Sequence, residues 1–198
     1  MSGGPLADWQ LVELGEQGRI RPFERKAVTR LSDQYGTNRK VLSFGPSSYG
    51  YDARLAPHFK LFTPYPGAII DVKKFDSRCY TDIDDDVVVL PAHSYMLGRT
   101  VEWFHIPDDV LVFCLGKSSY ARAGLAVNVT PLEPGWRGEV TLEIANQTPV
   151  PVRIYANEGI CQFVFLRGDA PCKLTYDTKN DGQPSKYQDQ RGIVTARE

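Results

Sequence analysis

From Val41 onward the chain is cut into short runs rich in β-branched and aromatic residues, separated by Gly, Pro, Asn and Asp. This punctuation limits the fold more than any other feature, because it repeats at the spacing of strands and turns. The expected strands are Val41 to Phe44, Tyr51 to Leu55, Phe59 to Phe62, Ala68 to Val72, Val87 to Leu90, Ser94 to Thr100, Val110 to Leu115, Leu125 to Val129, Glu139 to Ala145, Val150 to Tyr155 and Gly159 to Leu166. The 17 glycines and 14 prolines are spread along the chain as turn residues instead of gathering in one tract. A mainly β fold follows, of the sandwich, jelly-roll or distorted-barrel kind.

Ahead of the strands, Asp8 to Gly18 puts Leu11, Val12 and Leu14 near one face of a short helix that Gly18 stops, so this segment is expected to be a packing cap. The tail from Asp169 is polar, with Asn180, Asp181, Gly182 and Pro184 close together. Alone it reads as a flexible arm, which Tyr176, Lys186 and Tyr187 would order on a ligand or a neighbouring subunit. No internal repeat is visible. The expected organisation is one domain over residues 1–198, with a helix and lead-in at 1–40 and a C-terminal arm at 169–198.

The 198 residues are 42% hydrophobic and 24% charged, as in a globular chain able to bury a sizeable core. With 23 basic and 24 acidic residues the net charge is -1, so no global field draws the protein to nucleic acid or to an anionic membrane. Any phosphate must be held locally. Cys79, Cys114, Cys161 and Cys172 form no C-x-x-C pair, and free thiols in a reducing compartment are expected. Met1 to Ile20 lacks the apolar core of a signal peptide and no apolar run approaches a membrane span, which together point to the cytoplasm.

Three stretches carry chemistry. Gly116-Lys117-Ser118-Ser119-Tyr120-Ala121-Arg122-Ala123-Gly124 follows a buried-looking strand, and a glycine, two hydroxyls and two cations in a tight turn suit a polyphosphate. It is not a Walker loop, since G-x-x-x-x-G-K-[ST] is absent. In Glu139 to Asn146, strand alternation puts Val140, Leu142 and Ile144 on one face and Thr141, Glu143 and Ala145 on the other. A carboxylate in a cleft there would have its pKa raised by desolvation, which suits Glu143 to shuttle protons, with small Ala145 and hydroxylic Thr141 leaving room for a ligand. Between these lies Asn128 to Gly138, a proline- and glycine-rich connection in which Glu133 can accept a sugar hydroxyl and Trp136 is either an apolar plane beside it or core.

Taken in order, Gly50-Tyr51-Asp52, Gly116 to Gly124, Leu132 to Gly138 and Gly159-Ile160-Cys161-Gln162-Phe163 resemble the motif blocks of the trimeric dUTPase superfamily. Within it the chain is most similar to the dCTP deaminases, through Ser48-Tyr49-Gly50-Tyr51-Asp52, Gly116 to Arg122, Val129-Thr130-Pro131-Leu132-Glu133-Pro134, Thr141-Leu142-Glu143 and Lys186-Tyr187-Gln188-Asp189-Gln190. The match spans roughly residues 40–192, and several blocks in register are more specific than any single motif. Two features favour the deaminase over the dUTPase: Glu143 stands where dUTPases generally lack a carboxylate, and the glycine-rich C-terminal block is replaced by a tail with Lys186, Gln190 and Arg191. Glu133 stands where some members carry aspartate.

The resemblance implies a distorted β-barrel or jelly roll of the dUTPase-like (β-clip) type with a short N-terminal helix, assembled as a homotrimer with active sites at subunit interfaces. It implies hydrolysis of dCTP to dUTP and ammonia, which feeds the supply of dUMP and dTTP. By the same resemblance Glu143 is the general base and later acid, while Ser118 and a main-chain carbonyl at Thr130 or Pro131 orient the water. Arg122 would hold Glu143 in place or neutralise developing charge. Lys117, Ser119, Tyr120, Ala121, Thr130, Pro131, Glu133, Trp136, Thr141, Leu142, Gln162, Tyr176, Lys186 and Gln190 complete the expected substrate site.

Magnesium would arrive with the triphosphate and not in a protein cage. Zinc is not expected, because the H-x-E and P-C-x-x-C signature of zinc deaminases is missing around His58, His93 and His105. dTTP is a possible effector. The alternatives are a bifunctional enzyme that also cleaves the triphosphate to dUMP and pyrophosphate, a dUTPase proper, or a non-catalytic nucleotide sensor, which would need no glutamate opposite the base.

Overall fold

The computed structural model describes residues 3–32, 36–180, 183 and 185–197; of the residues named above, Met1, Asp181, Gly182 and Pro184 lie outside that set. The strands are β1 (Gly4–Pro5), β2 (Ile20–Arg21), β3 (Val28–Ser32), β4 (Asn38–Ser47), β5 (Gly50–Arg54), β6 (His58–Phe62), β7 (Tyr80–Asp84), β8 (Val87–Leu90), β9 (Tyr95–His105), β10 (Val110–Gly116), β11 (Leu125–Asn128), β12 (Arg137–Asn146), β13 (Val152–Tyr155) and β14 (Gly159–Arg167). Two α-helices, α1 (Asp8–Glu16) and α2 (Ser118–Arg122), accompany them.

One sheet has the order β1-β14-β5-β4-β3, with β10 also paired to β14. A second has the order β11-β12-β9-β6-β7, with β2 also paired to β9, and β13 and β8 form a separate ribbon. The mainly β fold read from the sequence is therefore present, as distorted sheets that do not close into a barrel among the described residues. Their inner faces meet where Phe104 of β9 packs on Phe163 and Phe165 of β14, with ring centroids 4.9 and 6.5 Å apart. Tyr51, Leu55, Phe59, Met96, Leu142 and Ile144 join this core with at most 0% of their surface exposed. Burial of such large apolar side chains is the main driving term for the fold.

Helix α1 begins where expected, and the Ala7 main-chain N–H donates to Gln10 Oε1 across its first turn at 3.0 Å. It ends at Gly18, whose φ of +71° closes the last turn with the Gly18 N–H donating to the Gly15 carbonyl. Leu11 and Leu14 are buried, so the segment is the packing cap that its spacing predicts.

Three expectations need correction. Ala68 to Val72 is not a strand: the turn at Tyr65-Pro66-Gly67 and the Tyr65–Asp76–Arg78 hydrogen bonds fold the loop on itself, leaving Ile69 85% exposed. Gly116 to Gly124 is a turn of helix, α2, closed by Gly124 in the left-handed region, in place of a simple tight turn. The polar tail is packed on its own chain instead of extending from it. Trp136 Nε1 donates to the Tyr187 carbonyl at 2.9 Å, and Thr175 and Ser185 are buried. Strands β1, β2, β3 and β7 were not foreseen; the first two are only two residues long, and β3 and β7 are edge strands with mixed polarity.

Candidate functional site

Strand β12 obeys the alternation read from the sequence. Val140, Leu142 and Ile144 are buried, while Arg137, Glu139, Thr141, Glu143 and Ala145 lie on the other face and are half-buried. Above that outer face opens a cavity of about 1020 Å³. Its floor is Val140, Thr141 and Glu143, and one wall is apolar and aromatic: Phe62, Ile70, Phe75, Tyr80, Tyr95 and Leu97. A second wall comes from the connection ahead of β12, through Val129, Thr130, Pro131, Leu132, Glu133 and Trp136. The arm closes the third side with Tyr176, Lys179, Lys186, Tyr187, Gln190 and Val194, among others.

Burial in this cavity raises the Glu143 pKa to about 7, partly offset by a hydrogen bond with its own main chain. Among the described residues no cation forms an ion pair with this carboxylate; Asn128 Nδ2 lies a long 3.5 Å from its Oε2. A carboxyl group poised near neutrality can both accept and return a proton. Burial likewise pushes the Tyr80 and Tyr95 hydroxyls up, which keeps that wall uncharged.

Of the residues singled out in the sequence, Thr130, Pro131, Glu133, Trp136, Thr141, Glu143, Tyr176, Lys186 and Gln190 are brought together around this one cavity. Trp136 is part of the core at 4% exposure and also lines the cavity wall. Glu133 does not stand free: Lys179 Nζ donates to its Oε1 at 2.7 Å and sits 4.2 Å from the centre of the Tyr176 ring. Gln190 is tied by its side-chain amide to the Glu139 carbonyl and, at 3.3 Å, to Thr141 Oγ1.

The remaining candidates lie elsewhere in the chain. Leu142 points into the core with 0% exposure and does not line the cavity. Tyr120 is buried at 5% and accepts a hydrogen bond from the Tyr155 main chain at 3.0 Å, which holds α2 against the ribbon. Lys117 Nζ pairs with Asp52 Oδ2 at 2.5 Å, and Gln162 Nε2 donates to Asp52 Oδ1 at 3.1 Å and to Ser47 Oγ at 3.0 Å. That second cluster explains the Gly50-Tyr51-Asp52 block: a Cβ on Gly50 would lie 2.9 Å from Gln162 Cγ, and Tyr51 is wholly buried beneath. Ser118, Ser119, Ala121 and Arg122 are exposed beside it and outside the Glu143 cavity.

The sequence reading missed the aromatic wall, Asn128 and Lys179. Tyr80 and Tyr95 each pack edge-on to Phe62, with centroids 5.6 and 6.4 Å away, a grouping that unites three distant segments. Asn128 has a legible signal, since it begins the connection already noted.

A family model described as dCTP deaminase-like matches residues 7–168. The chain is a member of the dCTP deaminase family of enzymes. Among the family's proteins, the dCTP deaminase of Rhodospirillum centenum is 56% identical over 181 residues, covering 91% of both chains. That of Acidobacterium capsulatum is 48% identical over 188 residues, covering 95% of this chain and 96% of its own. The solved structure of 2'-deoxycytidine 5'-triphosphate deaminase from Agrobacterium tumefaciens superposes with a TM-score of 0.59 at 17% identity, which shows a shared fold. The match covers 85% of this chain but only 49% of that longer one.

The histidines are dispersed: His58 contacts Asp82 and Asp84, His105 packs on Trp103, and His93 occupies a turn with φ of +50°. Among the described residues no helix is long and apolar enough to cross a membrane, and all four cysteines are free.

Proposed function

We propose that this chain hydrolyses dCTP to dUTP and ammonia, with Glu143 as the general base and then the general acid. The observation that carries this reading is an unpaired carboxyl group with a pKa of about 7 at the floor of a nucleotide-sized cavity with an aromatic wall. Glu143 takes a proton from a water whose oxygen bonds to the ring carbon bearing the amino group. It passes that proton to the ring nitrogen, then takes a second proton from the new hydroxyl and passes it to the amine; the C–N bond breaks, ammonia leaves and the carbonyl forms. Ser118 and a main-chain carbonyl at Thr130 or Pro131 orient the water. Glu133 faces the sugar, and Lys117, Ser119, Arg122, Gln162, Tyr176, Lys186 and Gln190 hold the base or triphosphate, with magnesium entering as part of the substrate.

Ser118 and Arg122 serve Glu143 from a neighbouring copy in a homotrimer. In support, they are exposed and lie outside the Glu143 cavity of their own chain. The strand leading to them also exposes Phe113 at 39% and Leu115 at 55%, and the adjoining ribbon exposes Val89 at 51%. Apolar surface of this extent suits a subunit contact. The reaction stops at dUTP on this reading, because the three other carboxylates of the motif blocks are engaged, Glu133 by Lys179, Asp52 by Lys117 and Asp189 by Arg137. We place the enzyme in the cytoplasm, where its nucleotide substrate and reduced thiols fit together, and dTTP is the effector to test. The first experiment is an ammonia assay on purified protein with dCTP: steady release supports the proposal, and none at all overturns it.

A further inference from the structure

We infer that Arg137 and Glu139 are positioning residues for the deamination, acting by clasping the C-terminal arm so that it walls the Glu143 cavity. The inference rests on the function proposed above. Both residues share the outer face of β12 with Thr141 and Glu143, yet neither lines that cavity. Their effect must therefore pass through what they hold.

The arm is held at a vacant stretch of strand edge. β11 pairs with β12 only from Glu143 to Asn146, so the opposite end of β12 has β9 on one side and no strand of that sheet on the other. Residues 189 and 190 fill the gap: the Asp189 N–H donates to the Arg137 carbonyl at 2.9 Å, the Glu139 N–H donates to the Gln190 carbonyl at 3.1 Å, and Gly138 and Gln190 form a parallel bridge. Close approach depends on Gly138, whose φ is +152° and whose Cβ would lie 3.0 Å from Gln190 Cγ.

Side chains then lock the contact. Arg137 grips Asp189 with two bonds, Nε to Oδ1 at 2.5 Å and Nη2 to Oδ2 at 3.0 Å, the geometry that makes arginine–carboxylate pairs specific. Glu139 accepts from the Gly192 N–H at 2.7 Å and pairs with Arg191 at 3.6 Å, while Arg99 on β9 holds the same carboxylate at 3.3 Å. From these anchors the arm delivers Gln190 and Val194 to Thr141 Oγ1, each at 3.3 Å, one position from Glu143 along the same face. A polar arm buries little apolar surface, and ordering it carries an entropic cost that the clasp offsets.

Trypsin sensitivity at Lys186 and Arg191, followed by mass spectrometry, tests the clasp without reference to catalysis, and steady-state kinetics test its consequence. Glu139→Ala and Asp189→Ala, the second placed on the exposed arm itself, should each release the arm and raise cleavage about tenfold, with the dCTP KM rising by a similar factor as the competent population falls. At saturating dCTP, kcat should stay within about threefold, because bound substrate draws the arm back. Exchanging the pair as Arg137→Asp with Asp189→Arg should return the KM and the cleavage after Lys186 towards wild type; the exchange adds a tryptic site at position 189, so only the Lys186 site is compared. Wild-type cleavage and KM in both single variants would overturn the inference, as would a released arm with an unchanged KM. Failure of the deaminase reading itself shows separately, as absence of ammonia from the unmodified protein.

Discussion

Asn128 and Glu143 stand opposite one another in the β11–β12 ladder, with the Asn128 amide 3.5 Å from the carboxylate. Among the described residues no cation pairs with this glutamate, and it is open to the cavity. Glu143→Gln keeps the shape but cannot accept a proton. Ammonia release should fall at least about 100-fold while dCTP affinity stays within about tenfold. Isothermal titration beside the ammonia assay checks this, and substantial residual turnover removes Glu143 from the chemistry.

The pH dependence follows from the same carboxyl group. Its folded pKa, about 7, lies above its ordinary value of 4.5, so the base form is lost as pH falls through 7. Below pH 7, kcat/KM should drop about tenfold per unit. The sign for stability is opposite to that of an ion-paired carboxylate: the fold favours protonated Glu143, so its contribution is present below the unfolded pKa and lost as pH rises through 7. Discounted for its partial exposure, the difference is on the order of 1 kcal/mol. Glu143→Gln should therefore melt higher than wild type at pH 8 and close to it at pH 5. A flat acid limb in the rate profile would contradict the assigned base.

Separation of Arg122 from Glu143 within one chain gives a mixing test. Glu143→Gln and Arg122→Ala chains, each inactive alone, should recover part of the activity when refolded together, since some interfaces then receive both native residues. A fully active monomer in sedimentation would rule out the shared site.

Metal dependence is expected to follow the triphosphate. Zinc-selective chelation should leave turnover unchanged, whereas removing magnesium should raise the KM for dCTP. Stoichiometric zinc in the active protein, with activity lost on its removal, would refute the mechanism.

The alternation of β12 and the Gly18 helix stop were legible in the sequence because each depends on neighbours a few residues away. Glu143 was legible for the same reason: one strand's pleat decides which face it joins. Ala68 to Val72 misled because its apolar content suits a strand, while the partner that would pair it is missing and the Tyr65–Asp76–Arg78 contacts bend the loop. Tyr80, Tyr95 and Phe62 escaped notice because three segments meet to make one wall. The arm was misread for a related reason, since its hold on Arg137 and Glu139 depends on a strand edge that only the assembled sheet leaves vacant.

The central claim is that dCTP loses its amino group and nothing else. Phosphorus NMR of dCTP turning over on the purified protein, with ammonia measured in the same tube, tests this most directly. With Glu133 held by Lys179, Asp52 by Lys117 and Asp189 by Arg137, no motif carboxylate besides Glu143 stands free among the described residues to drive a second water onto the α-phosphorus. The account predicts three triphosphate resonances that persist while ammonia accumulates in proportion to dUTP; pyrophosphate and dUMP appearing in step with ammonia would contradict it.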